Sequence, residues 1–293
     1  MAALLYYTIL LPLSKLPFWW LYRLSDVMRF FIYHIFRYRR KVVWENLVSA
    51  FPEKPESEIK RIEVKFYQHL CDLIVEAIKM FSITEKEIAA RFQARNIEEL
   101  DRLLPLGKDV ILTGGHLNSW EYLALYGNKL TKFRMGGVYK ALANPFFEKK
   151  MRIARGKFDA LLIPTTQAYD FFEQPRTEPV VMIFATDQSP PKPEKAYWTT
   201  FLNQETGVQP GAERVARKYG LPVVYGALYK NKRGFYSIGI EHICTHPDEM
   251  PEPNSIIEKA TRLLEHRIRE QPEYWLWSHK RWKHKNPAHA GTQ

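Results

Sequence analysis

The stretch DVILTGGHLNSWEYLALYG, Asp109 to Gly127, sets a histidine where an apolar run gives way to a helix-like pattern. His116 follows Gly114 and Gly115, and Glu121 comes five positions later. The positive end of a helix disfavours imidazolium, so a histidine just before one is expected to be neutral, the form a general base needs. Glu121, in the first helical turn, is placed to orient the ring through a carboxylate–imidazole hydrogen bond and to stabilise the cation formed in catalysis. The glycines permit close approach of substrate or backbone, and exposed N–H groups near 115–118 are candidate oxyanion donors. The same residues have a purely structural reading. Asn118 is a good N-cap, and Asn118 with Glu121 has the spacing of a capping box. No G-x-S-x-G nucleophile elbow occurs, so the base is expected to activate a hydroxyl of the substrate itself.

Other residues suit the same chemistry. Asp187 closes a strongly apolar run, a position that often carries active-site groups in open sheets, although a loop-stabilising acid sits there too. Arg152 and Arg155, three apart, fall on one helix face and suit phosphate recognition, or form a solvated charged face. WLWSHKRWKHK, residues 275–285, sets His279 among basic and aromatic residues and reads as a membrane- or phosphate-facing surface.

The elements that position these residues follow from periodicity. Residues 42–81 read helical, with a proline-marked break at 52–55. After Gly107, β-rich runs appear at 109–113, 133–139, 159–164, 179–185, 222–229 and 235–243. Helical patterns lie at 117–130, 145–156, 167–174, 211–219 and about 254–270. Such alternation predicts an α/β fold with a mixed, largely parallel sheet flanked by helices. Residues 187–210, rich in proline and polar groups, read as a long functional loop. Three regions are expected: attachment helices at 1–41, a catalytic domain at 42–285 and a loose tail at 286–293.

The chain's 293 residues carry 43 Lys and Arg against 32 Asp and Glu, a net +11 that calls for an anionic partner. Residues 1–22 carry one side-chain charge, Lys15, but Pro12 and Pro17 interrupt the apolar run. Trp19, Trp20 and Tyr22 suit the headgroup level, and Arg37, Arg39, Arg40 and Lys41 suit an anionic cytoplasmic membrane face. No charged segment precedes the apolar run, which favours membrane attachment over a cleaved signal; a hairpin packed on the main domain is the alternative. No helix-turn-helix, RNP or zinc pattern supports a nucleic-acid partner. Cys71 and Cys244 fit neither CxxC nor zinc spacing, which points to a reducing compartment and to no metal.

The ordered blocks carry a resemblance. His116-Leu-Asn-Ser-Trp-Glu121 has the form GGHxxxWE, and RRKVVWENLVSAFPEK, GGVYKALANPFFEKKMRIARG, VMIFATDQSPP and PEYWLWSHKRWK follow across residues 38–285. Together they resemble the late acyltransferases of lipid A biosynthesis, within the glycerolipid acyltransferase-like superfamily. The chain departs from that pattern at Phe201-Leu202-Asn203, at Val208 in a threonine slot, and at Lys140 where arginine is usual. The resemblance implies acyl transfer from acyl carrier protein to a hydroxyl of a lipid A precursor, without metal or cofactor, at the cytoplasmic face of a bacterial inner membrane. It implies His116 as base, Glu121 as its orienting partner, Arg155 (with Arg152 as competitor) and Asp187 as functional residues, and Gln188 and Asn118 beside them. A relative with the same fold and another acceptor, such as a lysophospholipid, aminolipid or glycolipid, shares the His-x4-Glu pattern.

Overall fold

In the computed structural model, which describes residues 1–289, seven strands form one sheet and two form a separate hairpin. The strands are β1 (Phe92–Ala94), β2 (Val110–Gly114), β3 (Arg134–Tyr139), β4 (Leu161–Pro164), β5 (Val180–Ala185), β6 (Tyr197–Phe201), β7 (Gln204–Val208), β8 (Val223–Lys232) and β9 (Phe235–Cys244). The sheet order is β1-β9-β8-β2-β5-β3-β4. All its neighbours are parallel except the β8–β9 hairpin, so the mixed, largely parallel sheet expected from the alternation is present.

Every residue of β2 is buried, as befits a central parallel strand covered on both faces. Side chains alternate between two cores. Ile111, Val223 and Tyr225 join one, with Val43, Leu47, Val215, Ile257 and Trp277. Val110, Leu112 and Val224 join the other, with Ile88, Phe92, Tyr122 and Leu125. The strand period of two therefore assigns each side chain to a helical layer.

The helices are α1 (Ala2–Ser14), α2 (Phe18–Ile35), α3 (Arg40–Ala50), α4 (Glu56–Lys79), α5 (Glu85–Arg91), α6 (Glu98–Asp101), α7 (Trp120–Tyr126), α8 (Pro145–Arg155), α9 (Ala168–Glu173), α10 (Gly211–Tyr219) and α11 (Ser255–Glu270). α1 and α2 are bent by 119° at the Pro17 break, and among the described residues no single helix is long and apolar enough to cross a membrane. One face of this pair is fastened to the domain. Tyr22 and Tyr33 donate to Glu76 and Glu63 of α4 at 2.9 Å each, and Ser25 donates to Asp72 at 2.7 Å. The other face leaves Trp19, Trp20, Val27, Phe30, Phe31 and Phe36 exposed.

One expectation fails here. Residues 187–210 are not one long loop: β6 and β7 pair antiparallel within them. Their two-residue turn, Leu202-Asn203, has φ +50° and +61°, the left-handed pair that a tight hairpin demands. Leucine accepts that conformation at about 1–2 kcal/mol, offset by complete burial of its side chain. The expected loose tail is partly tied down, since Asn286 donates to Glu205 at 2.9 Å and residues 287–289 form a 3₁₀ turn. Residues 290–293 of that tail lie outside the described residues.

Candidate active site

The register of two neighbouring strands builds the site. Gly114 of β2 lies opposite Ala185 of β5, and Thr186 extends the pairing by donating its N–H to the Gly114 carbonyl at 3.1 Å. Two residues past that rung on each strand come His116 and Asp187, at the carboxyl ends of adjacent parallel strands. Gly115 makes the approach possible. A Cβ there would lie 3.0 Å from Asp187 Oδ2 and 2.8 Å from Leu264 Cδ1.

Asp187 receives three hydrogen bonds. The His116 backbone N–H donates to Oδ2 at 2.7 Å, the Trp275 indole N–H to Oδ2 at 2.8 Å, and His116 Nδ1 lies 2.7 Å from Oδ1. Burial alone would raise the carboxyl, but the His116 charge and these donors overcome it and hold Asp187 well below the usual carboxylate range. An ionised Asp187 requires the proton on Nδ1, which leaves Nε2 as the bare nitrogen of the neutral ring. Nε2 faces the Gln188 amide nitrogen at 3.2 Å. The His116 side chain keeps 19 % exposure, whereas that of Asp187 keeps 2 %.

The expected His116–Glu121 hydrogen bond is therefore absent, because both ring nitrogens are taken by other partners. Glu121 turns instead to Arg155, which donates Nε to Oε2 at 2.9 Å and Nη2 to Oε1 at 2.6 Å, a bidentate fork. The expected downward push from the helix end is reversed in direction. Burial opposes the imidazolium, but the Asp187 charge and hydrogen bond, with the Glu121 charge behind them, raise His116 above its ordinary value despite Arg155. The adjacent carboxylate outweighs both burial and the start of a seven-residue helix.

A family model described as bacterial lipid A biosynthesis acyltransferase matches residues 1–284. The chain belongs to that family. The resemblance read from the sequence blocks is thereby established, and the protein is an acyltransferase of lipid A biosynthesis. It is similar to the lipid A biosynthesis lauroyltransferase of Escherichia coli (strain K12), 21 % identical over 277 residues that cover 92 % of this chain and 87 % of that protein.

Asn118 does not cap the helix of this acyltransferase. Ser119 holds the N-cap position, without a side-chain cap bond, and the capping box with Glu121 is not formed. Asn118 adopts φ +54°, is fully buried, and donates Nδ2 to the Leu228 carbonyl at 2.8 Å, while its Oδ1 has no hydrogen-bond partner among the described residues. Arg152 is exposed, and no hydrogen bond joins it to the cluster among the described residues; Arg155 alone turns inward.

The closing segment is the part of the site that sequence reasoning misplaced. Its rings and Arg281 are laced into the domain, and Lys280, Lys283 and Lys285 stay exposed. Leu117 pairs with Trp275, and Asn118 donates its backbone N–H to the Tyr274 carbonyl at 3.0 Å. Asn46 donates to the carbonyls of Trp277 and His279 at 2.9 and 3.0 Å. Trp275, Trp277 and Arg281 are buried, and His279 Nε2 accepts the Ser189 backbone N–H at 3.1 Å. The PEYWLWSHKRWK block was the available signal, but its dense cations and rings read as surface.

The Glu121–Arg155 pair lends itself to a stability test. Each side chain is about one-fifth exposed, at 19 and 20 %. Its loss falls between an exposed pair, ~0.2–1 kcal/mol, and a buried one, ~3–5 kcal/mol. Glu121→Ala is expected to lose about 1–3 kcal/mol in denaturant unfolding, from leaving the Arg155 charge unpaired. The double variant Glu121→Ala, Arg155→Met is expected to recover part of that loss. Strict additivity of the two single variants would show that the fork holds nothing together.

Proposed function

We propose that the protein transfers a fatty acyl chain from the thioester of acyl carrier protein to a hydroxyl of a lipid A precursor, with His116 as general base. The observation that carries this reading is the Asp187–His116 pair, which directs the unprotonated Nε2 away from the carboxylate at the carboxyl ends of β2 and β5. The acceptor hydroxyl takes the place of the Gln188 amide at Nε2. His116 removes its proton as the oxygen attacks the thioester carbon. The carbonyl π pair moves onto oxygen, then returns to expel the thiolate, which takes the proton from His116. Asp187 keeps the proton on Nδ1 and balances the imidazolium while it exists. Glu121 fixes Arg155 at the end of α8, against the first turn of α7.

Membrane attachment at the cytoplasmic face of the bacterial inner membrane belongs to the same reading. The exposed rings of α1 and α2 supply apolar area, and the +11 net charge supplies attraction to anionic headgroups, about 1 kcal/mol for each Lys or Arg near the surface. In co-sedimentation with anionic vesicles, Trp19→Ser with Trp20→Ser is expected to weaken binding without changing the melting temperature. Equal binding by wild type and variant would remove this face from the membrane contact.

The function itself is tested with purified protein, acyl carrier protein thioesters and coenzyme A thioesters as competing donors, and a lipid A precursor as acceptor, read by mass spectrometry. The expected product is the precursor heavier by one acyl group, formed faster from the carrier protein. Acylation of an aminolipid or lysophospholipid with the precursor untouched would replace the acceptor, and a preference for coenzyme A would replace the donor.

A further inference from the structure

The tetrahedral intermediate in the proposed reaction places a full negative charge on the former thioester oxygen, and such sites supply donors for it. Two of the donors nominated by the sequence around residues 115–118 are already engaged, which leaves the N–H groups of Gly115 and Leu117 as the backbone candidates. The His116 N–H is bonded to Asp187, and the Asn118 N–H to Tyr274. The Arg155 fork is occupied by Glu121. Arg281 is different. It is 3 % exposed, and its Nε and Nη1 have no hydrogen-bond acceptor. No ion pair involves it among the described residues. Burying a guanidinium without hydrogen-bonded acceptors costs several kcal/mol, which makes it a candidate donor for an anion that arrives with the substrate.

The location fits the chemistry. Arg281 lies within electrostatic reach of Asp187, and its backbone N–H donates to the His279 carbonyl at 2.9 Å. His279 in turn senses the charges of Asp187, Arg281 and His116 and holds the Ser189 N–H, one residue from Gln188. Burial pushes the guanidinium down to about 10 against the help of Asp187, so it stays charged at neutral pH.

We propose that Arg281 is a catalytic residue that receives the oxyanion of the tetrahedral intermediate through its uncommitted Nε–H and Nη1–H. This rests on the acyl-transfer reading above. A substrate phosphate is the competing anion for the same guanidinium. The buried cluster already holds the Asp187 carboxylate, and a charge that exists only transiently adds less repulsion than a permanent phosphate.

The test uses the full-length enzyme and three variants, Arg281→Met, Arg281→Ala and His116→Ala, in the same transfer assay. For Arg281→Met, kcat is expected to fall by ~10²–10³, with the KM of each substrate unchanged. Its melting temperature should stay level or rise, because a buried guanidinium without hydrogen-bonded acceptors is removed. Millimolar guanidinium should restore part of the kcat of Arg281→Ala and none of that of His116→Ala. An unchanged kcat overturns the proposal. So does a raised KM for one substrate at constant kcat, which assigns the guanidinium to that substrate's phosphate. A fall in melting temperature that parallels the rate loss, without guanidinium rescue, makes Arg281 a structural brace and also overturns it. If wild type itself transfers nothing to the precursor, the functional reading falls and the oxyanion role with it; an active wild type beside an unaffected Arg281→Met sinks the oxyanion role alone.

Discussion

His116→Ala is expected to lower kcat by ~10²–10⁴, the worth of a positioned general base, and to leave donor binding intact. That factor corresponds to about 2.7–5.5 kcal/mol of barrier. The pH dependence supplies the sharper check. Only the neutral ring accepts the proton, and the Asp187 pair raises the folded-state value above the ordinary 6.5. The rate is therefore expected to climb with pH along a limb centred above 6.5, and His116→Ala should lack that limb. Stability follows the opposite sense. A raised imidazole contributes stability that is fully present below its unfolded value and is lost as pH rises through the folded one. The depressed Asp187 contributes above its unfolded value near 3.8 and loses that contribution as pH falls through the folded one. The pair stabilises most between those limits, so the enzyme is most active where the pair holds it less tightly. Rate profiles and melting temperatures measured over the same pH range test both senses at once. A limb at or below 6.5, or one retained in His116→Ala, would show that the titrating group is not this ring.

The strands that could be read from the sequence are those whose burial leaves a continuous apolar signature. β2, β3, β4, β5, β8 and β9 each fall within a few residues of a β-rich run. β1 is three residues long, too short for periodicity, and is held by parallel pairing with β9. β6 and β7 were hidden by their turn, because Leu-Asn lacks the Asn-Gly or Asp-Gly signal that marks a left-handed pair. The N-terminal segment showed its apolar face but not its polar one. Ser25 and Tyr22 look incidental until Asp72 and Glu76, some fifty residues later, appear beneath them.

The site was legible as residue types and misassigned as pairs. His116, Glu121, Arg155, Asp187 and Gln188 do converge. Spacing along the chain suggested His116 with Glu121, because a sequence displays neighbours on one helix and hides neighbours across a sheet. The partner of His116 was set by the register of β2 against β5, which cannot be written in either segment alone. Arg281 was invisible for a related reason. In a row of cations one looks like the next, and only the fold separates the arginine it buries from the lysines it leaves outside.

Asp187→Asn is expected to be the most damaging conservative substitution in the protein. The volume is kept and the charge removed, but the hydrogen bonds cannot all be remade. Three N–H donors point at the carboxylate, and an asparagine side chain offers one oxygen to them. With the substituted amide nitrogen turned toward the ring, His116 Nδ1 becomes an acceptor and its proton moves to Nε2, where a base must have none. In the Ser-His-Asp enzymes that tautomer error drops kcat by about 10⁴, and a loss of that order is expected here. Any residual activity should have its ascending limb at lower pH, because the charge that raised His116 is gone. Glu121→Gln gives the opposite pattern. It loses the Arg155 fork and a distant charge, but His116 keeps its tautomer, so most of the turnover should survive. The decisive comparison is the ratio of kcat in these two variants. Asp187→Asn close to wild type beside an inert Glu121→Gln would return the orienting role to Glu121, and the register of β2 and β5 would then be a feature of folding rather than of catalysis.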